Sequence, residues 1–566
     1  MINKYFILHL FTFGVFLVSG MYVVNPGPKY PPTNGEIWPK PQQEVKEPTY
    51  YTFDPSHFKI TNHTCEILSL AVYRYSYIVS RGLRFRPRKS RPKHKVAVNN
   101  TVQQDELYQG LITELKVTLT APCEDYPSFG MDERYNLKVS NVSILESDSI
   151  WGIIRGLESF AQLFYLSADY NVRTSAEIRI NKTSIVDFPS YPHRGLLLDT
   201  ARHYISLGKI LKTLDAMAIN KMNVFHWHIV DDQSFPYQSE RFPELSDKGA
   251  FHSSMVYTKE DIERIIQYAR ARGIRVIPEF DIPGHTRSWG AAYPSILTQC
   301  YSPDGKVVGL GPMDPLSDVA LNLLKDLFAE VQDWFPDKFF HVGGDEVDLD
   351  CWRSNPKLVD YMHKHSISAA GLHALFMRNA IPLLGNDTNA IVWQEVFDEK
   401  VPLSKDTIVQ VWKSWSTTEM INVKAGHRVL FSSDWYLDHL RSEWPQYYKS
   451  DPRQMVYNVI TNTTLLANIV GGEACMWGEM ADDRNVISRV WPRASAVAEK
   501  LWNSNPILWD NTDNGAPWFN RMDIPDDVYN RMEEHTCRMI RRGIDAQPPT
   551  GPGFCTAKIF QLYFNY

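Results

Sequence analysis

Eight short apolar stretches after residue 188, most of them followed by a segment of helical periodicity, constrain the fold more than any other feature of the chain. Repeated strand-then-helix units demand parallel strands, because each connection carries the chain back across the sheet before the next strand begins. The expected strands are Gly195–Thr200, Asn223–Asp231, Arg275–Asp281, Phe339–Gly343, Ala390–Glu395, Thr407–Trp412, Arg428–Ser432 and Gly471–Trp477. Between them, Lys259–Arg272 and Asp318–Trp334 carry the helical spacing of apolar residues. Eight units of this kind predict an α/β fold, a (β/α)8 TIM barrel with inserted loops, over 188–566.

Polar residues fall at one end of these strands. The strands begin apolar and run into Asp199/Arg202, His228/Asp231/Asp232, Glu279/Asp281/His285, Asp345/Glu346, Trp393/Glu395, Trp412, Tyr436/Asp438 and Trp477/Glu479. In a TIM barrel the carboxyl ends of the strands form the active-site face. Acids and aromatics gathered there predict a deep, aromatic-walled pocket bearing carboxylates. Asp345 and Glu346 are adjacent, and neighbours on a regular strand point to opposite faces. Both can serve one pocket only if the backbone leaves strand geometry, which Gly343-Gly344 makes easy.

Ahead of the barrel, three further segments are expected. Residues 1–20 read as an export signal: Lys4, an uncharged apolar run from Tyr5 to Val18, then Val18-Ser19-Gly20 for cleavage. The run is shorter than the roughly 20 residues a spanning helix needs, and no later segment is both long and apolar enough. Residues 21–50, rich in proline, read as a leader or linker. Residues 51–187 mix strand-like stretches (Leu115–Thr120, Tyr135–Val139) with one helical stretch, Ile150–Tyr165, and predict a small α+β domain. The basic stretch Arg81–Lys95 reads as a solvated loop, and a net charge of −6 gives no sign of a nucleic-acid partner.

Export makes disulfides and glycans expected. Seven cysteines suggest three bridges and one free thiol. Nearest-in-order pairing would join Cys65 to Cys123, Cys300 to Cys351 and Cys537 to Cys555, leaving Cys475, although order alone does not fix the pairing. Glycan acceptors of the N-x-S/T type begin at Asn62, Asn99, Asn141, Asn181, Asn386 and Asn462.

Several of these stretches resemble the β-N-acetylhexosaminidases of glycoside hydrolase family 20, the lysosomal type of animals. They are His193–Thr200, Asn223–His228 with Asp231-Asp232, and Glu279-Phe280-Asp281 leading to Pro283-Gly284-His285. His341–Val347, Val392–Glu395 and Gly471–Glu479 complete the set. The resemblance spans the barrel and, more loosely, the N-terminal domain. It implies exo-acting removal of terminal β-linked N-acetylglucosamine or N-acetylgalactosamine from glycoconjugates or chitooligosaccharides.

Most glycosidases use two carboxyl groups across the scissile bond; this family is an exception in which the substrate supplies the nucleophile. The resemblance implies that the 2-acetamido oxygen attacks C1 to give an oxazolinium ion, with retention. It makes Glu346 the general acid and later base, Asp345 the acceptor of the acetamido N–H, and Tyr436 a donor to the acetamido oxygen. Trp393, Trp412 and Trp477 match the box around the acetamido methyl. Arg202 and Glu479 match the groups that hold the 3- and 4-hydroxyls, and Asp231 with His285 resembles a support for the acid, with His226 and Asp281 as structural neighbours. After Tyr436-Leu437 this chain has Asp438-His439. The vertebrate subunit that accepts 6-sulfated sugars has Asn-Arg there, and the neutral-substrate subunit has Asp-Leu. Asp438 is thus expected at the sugar 6-hydroxyl. The family pattern also matches the nearest-in-order disulfides.

The resemblance further implies a homodimer, lysosomal or secreted, with no cofactor. Two rival readings remain. His226-x-His228 sets two imidazoles on one strand face, as in metal-dependent hydrolases, but the fifth to eighth strands add no histidine, so no metal is expected. The other is a catalytically inactive glycan-binding protein on the same scaffold, against which the intact Asp345–Glu346–Tyr436 set argues.

Overall fold

A computed structural model of the chain describes residues 33–61, 65–81, 105–166, 177–413, 423, 426–440, 443–456, 462–504 and 524–549. The expected export signal, most of the basic stretch, Asn62, Asn99 and Cys555 lie outside these residues.

The N-terminal sheet contains β1 (Gln43–Phe53), β2 (Lys59–Thr61), β3 (Tyr108–Ile112), β4 (Glu114–Leu119), β5 (Tyr135–Lys138), β6 (Val142–Ser147), β7 (Tyr165–Leu166) and β8 (Ile178–Asp187). Its order is β2-β4-β6-β5-β8-β1-β3, with β7 beside β8. Helices Glu66–Arg81 and Ile150–Gln162 cover one face. The alternation in β6, where Ser143, Leu145 and Ser147 turn inward, is the period-two signature of a sheet with one covered face. Two expectations need correcting. The segment 21–50 is not linker throughout, because Trp38 is fully buried and β1 begins at Gln43. The predicted helix to Tyr165 stops at Gln162, and Tyr165 opens β7.

From His193 the chain forms a closed barrel. Its strands are β9 (His193–Asp199), β10 (Val224–His228), β11 (Arg275–Glu279), β14 (Phe339–His341), β15 (Asn389–Trp393), β16 (Ile408–Val411), β17 (Arg428–Phe431) and β18 (Ile469–Met476). All neighbouring pairs run parallel. A hairpin, β12 (Leu297–Tyr301) and β13 (Val307–Met313), interrupts the repeat after β11. Helix caps set the connections: Thr258 and Asp261 form a capping box on Lys259–Arg270, and Ser317 caps Asp318–Trp334.

Side chains pointing into the barrel form layers, as the strand period requires. The lowest is apolar, with Val224, Ile277, Phe339, Ile391, Ile408, Leu430 and Val470. Above it comes a polar layer that includes His226, Glu279, His341, Gln410 and Glu473, all buried. Gly195 leaves the room this layer needs, since a Cβ there would overlap the Glu473 side chain. At the top, Leu197, Trp393, Cys475 and Trp477 pack with Trp412 and Tyr436. A branched apolar interior is usual for this fold, so a buried ionic layer directly beneath the pocket is a feature with a cost and calls for a function.

Candidate active site

The loop after β14 builds the pocket floor. Gly343 and Gly344 have φ of 66° and 103°, and Glu346 itself has φ of 50°. A Cβ on Gly343 would overlap Asp281 Oδ1, and one on Gly344 would overlap Val396. Only glycines allow this departure from strand geometry. Its result is two adjacent carboxylates with different environments: Asp345 is buried, while the Glu346 side chain is 56% exposed at the mouth. The Asp281 Oδ1 accepts the Gly344 N–H at 2.8 Å. Burial, with the charge of Asp345 beside it, pushes the Asp281 carboxyl well above the usual range. The hairpin braces the far side of this loop through the Cys300–Cys351 disulfide.

Beside Glu346 runs a chain of ion pairs. His285 Nε2 lies 3.9 Å from both Asp345 and Glu346, and its Nδ1 lies 3.2 Å from Asp231 Oδ1. Asp231 Oδ2 is 2.7 Å from His228 Nε2 and 2.9 Å from an Arg202 Nη2. Arg202 also pairs with Asp199 at 3.2 Å and lies 4.9 Å above the Trp477 ring. Against the cost of burial, the surrounding carboxylates raise His228 to about 10 and His285 to about 9. The two imidazoliums hold Asp231 well below the carboxylate range despite its burial.

The opposite wall is aromatic. Trp393 is fully buried with its ring centroid 5.9 Å from that of Trp477, and Trp412 stacks on Tyr436 at 6.0 Å. Trp412 donates its indole N–H to Glu395 at 3.0 Å. The Tyr436 backbone bridges to Cys475, and the Tyr447 hydroxyl donates to the Tyr436 carbonyl at 2.9 Å. Asp438 is half-buried with Oδ1 unbonded to protein, and burial raises its carboxyl. Glu479 is exposed at the rim, where its charge helps to hold Arg202 protonated.

The expected site residues therefore gather around one mouth, while other expectations fare differently. Asn181 is a correction: it is buried, and its amide donates to the carbonyls of Glu47 and Pro48, leaving no room for a glycan. Asn141, Asn386 and Asn462 are exposed. Cys65 pairs with Cys123, Cys475 is a buried free thiol, and Cys537 is disulfide-bonded. Sequence reasoning named Glu279, His193 and Glu473 within its strand ends and motifs but gave them no role, passed over Gln410, and treated His226 as a structural neighbour. Polar residues recurring at every second position of otherwise apolar strands were the available signal.

Two clusters among the described residues bring three potential metal ligands together, His226/Glu279/His341 and Asp281/His285/Asp345. Each contains an imidazole raised to about 9 between carboxylates.

Residues 191–505 match the catalytic domain of glycosyl hydrolase family 20, and residues 37–163 match a domain described as beta-acetyl hexosaminidase like. The chain is 42% identical over 535 residues to the beta-hexosaminidase subunit beta of Felis catus, covering 92% of this chain and 93% of that protein. It is 39% identical to the subunit alpha of Rattus norvegicus, over 92% and 94% of the two chains. Among solved structures, the Flavobacterium johnsoniae chitobiase superposes with a TM-score of 0.71 at 29% identity, over 89% of this chain and 72% of that one.

Proposed function

The chain belongs to glycosyl hydrolase family 20 and is a glycosidase that removes terminal N-acetylglucosamine, and from that premise we propose that Glu346, Asp345 and Tyr436 carry a substrate-assisted, retaining reaction. The observation that supports it most is the split of two adjacent carboxylates by the Gly343-Gly344 turn, one at the mouth and one buried beneath. An exposed carboxyl suits proton exchange with a leaving oxygen. A buried one suits a fixed, dry contact with a group of the bound sugar.

In this reading the acetamido oxygen attacks C1 while the C1–O bond to the leaving group breaks. The Glu346 proton passes to the departing oxygen. Asp345 accepts the acetamido N–H and stabilises the positive charge that grows on the ring being formed. Tyr436 donates to the acetamido oxygen, and the Trp393, Trp412 and Trp477 walls hold the methyl group. Confinement of this kind raises the effective concentration of the internal nucleophile. Glu346 then takes a proton from water as that water attacks C1, and the ring opens with retained configuration. Arg202 and Glu479 bind the 3- and 4-hydroxyls and close the pocket's end, which supports exo-action. Terminal N-acetylgalactosamine belongs to the same proposal, as do a lysosomal or secreted location and a homodimer; the mammalian relatives are named as subunits.

Glu346→Gln tests the assignment. Turnover should fall by roughly 10²–10⁴, the usual worth of general acid–base catalysis. The loss should be least for aryl substrates with good leaving groups, which need little protonation. An unchanged rate on a poor leaving group would sink it. Plain β-glucosides should not react, and the cyclic 2-acetamido thiazoline that imitates the intermediate should bind tightly.

A further inference from the structure

Strand β11 ends in Glu279, a fully buried carboxylate to which none of the roles above gives work. Its Oε1 accepts the Trp393 indole N–H at 2.8 Å. Its Oε2 lies 2.6 Å from His228 Nδ1. Two separate halves of the site thus meet on one side chain. On the Oε1 side, Trp393 forms the inner wall of the aromatic box. On the Oε2 side, His228 passes its other N–H to Asp231, which holds His285 beside Glu346.

We propose that Glu279 is a positioning residue that keeps the aromatic box in register with the support of the acid, so that the acetamido group and Glu346 address the same anomeric carbon. The inference rests on the roles given to Trp393 and Glu346 above. An indole N–H can only donate, and a buried one needs an acceptor to fix the ring. An ionised carboxylate accepts on both oxygens and donates on neither, so it can hold Trp393 and His228 at once. Its burial is sustained by His228 and His226, 2.6 Å and 3.0 Å away. His228 carries protons on both nitrogens, being raised to about 10, and so transmits orientation from Glu279 to Asp231.

Glu279→Gln preserves shape but turns one oxygen into an N–H donor, which must then face either the Trp393 or the His228 donor. Two ratios read the consequence: affinity for the cyclic thiazoline, and the rate on an aryl N-acetylglucosaminide relative to diacetylchitobiose, a poor leaving group. We expect at least one to move by about tenfold or more, the scale on which small misplacements act. A variant whose melting temperature falls while both ratios hold would reduce Glu279 to a structural group and overturn the proposal. Should Glu279→Gln not fold, Trp393→Phe supplies the test. Removing that N–H should change leaving-group sensitivity through Glu279 and His228, and an unchanged ratio would refute the coupling. Failure of the parent reading looks different: the wild-type enzyme would then cleave plain β-glucosides or ignore the thiazoline.

Discussion

Asp281 and Asp345 show how neighbouring carboxyl groups take different work. Asp281 is raised well above its ordinary range by burial and by the charge of Asp345, so it holds a proton while its Oδ1 accepts the Gly344 N–H. An asparagine keeps both features, a carbonyl for Gly344 and a donor for Asp345. Asp281→Asn should therefore retain turnover within about threefold, whereas Asp281→Ala should lose about tenfold or more in kcat as the loop shifts; steady-state rates on an aryl N-acetylglucosaminide decide. The family resemblance puts Asp438 at the sugar's 6-position as an expectation that a sulfated substrate can test. A 6-sulfate about 5 Å from its charge would meet a repulsion of about 3 kcal/mol at an effective dielectric near 20. Neutral sugars should be preferred over 6-sulfated ones by about tenfold or more at neutral pH. Burial raises the Asp438 carboxyl, so it is neutralised as pH falls and the gap should narrow in acid. The kcat/KM ratio at two pH values, repeated on Asp438→Asn, checks this, and a ratio untouched by the substitution would remove Asp438 from position 6.

At the level of elements, β9, β10, β11 and β18 share an alternating row of imidazoles and carboxylates: His193, Glu473, His226, Glu279, His228, Asp231, then His285 beyond the strands. Each lies within hydrogen-bond reach of the next. His226, His228 and His285 are raised to about 9, about 10 and about 9 by these carboxylates, against the pull of burial. A folded-state pKa above the unfolded one near 6.5 means that the folded protein holds more protons in between. Their stabilisation is complete below about pH 6.5 and is lost as pH rises through 9 to 10. The carboxylates are the reverse case: Glu473 and Glu279 are held low by the histidines despite burial, and their contribution fades in acid. Buried His193 and His341, lowered mainly by desolvation, also weaken the fold on acidification. Thermal melting should therefore peak at about pH 6.5 and decline by several degrees towards pH 9. A melting temperature level across that alkaline range would contradict the charged row.

Across the whole molecule, the N-terminal domain grips the barrel at the end opposite the site. Glu133 is buried with Arg155 at 2.8 Å and Arg194 at 2.6 Å, and Arg155 also donates to the carbonyls of Arg272 and Gly273. Lys221 and the Trp502 indole both meet Asp187, at 2.8 Å and 2.9 Å. Arg542 of the C-terminal helix Asp526–Arg541 region reaches Glu158 at 2.7 Å. Removing one partner of a buried pair leaves the other charged and unpaired, so Glu133→Ala should cost about 3–5 kcal/mol of stability. Urea unfolding measures that loss. Because the contact lies at the N-terminal ends of the strands, kcat below the unfolding transition should stay within about twofold of wild type.

What the amino-acid sequence determined by itself was local: eight apolar runs with polar ends, a glycine pair before Asp345-Glu346, and motifs of fixed spacing. Such signals lie within a few residues, where steric rules and strand period operate directly. Burial was not local. Asn181 carries an acceptor motif whose amide is spent on the β1 backbone, and Trp38 sits in a proline-rich stretch yet packs against His535 at 5.7 Å. Only the tertiary structure brought together His228, Glu279 and Trp393, whose contacts span 51 and 114 residues of chain. Their meeting depends on the register of β10, β11 and β15 around a closed barrel, which long-range packing decides.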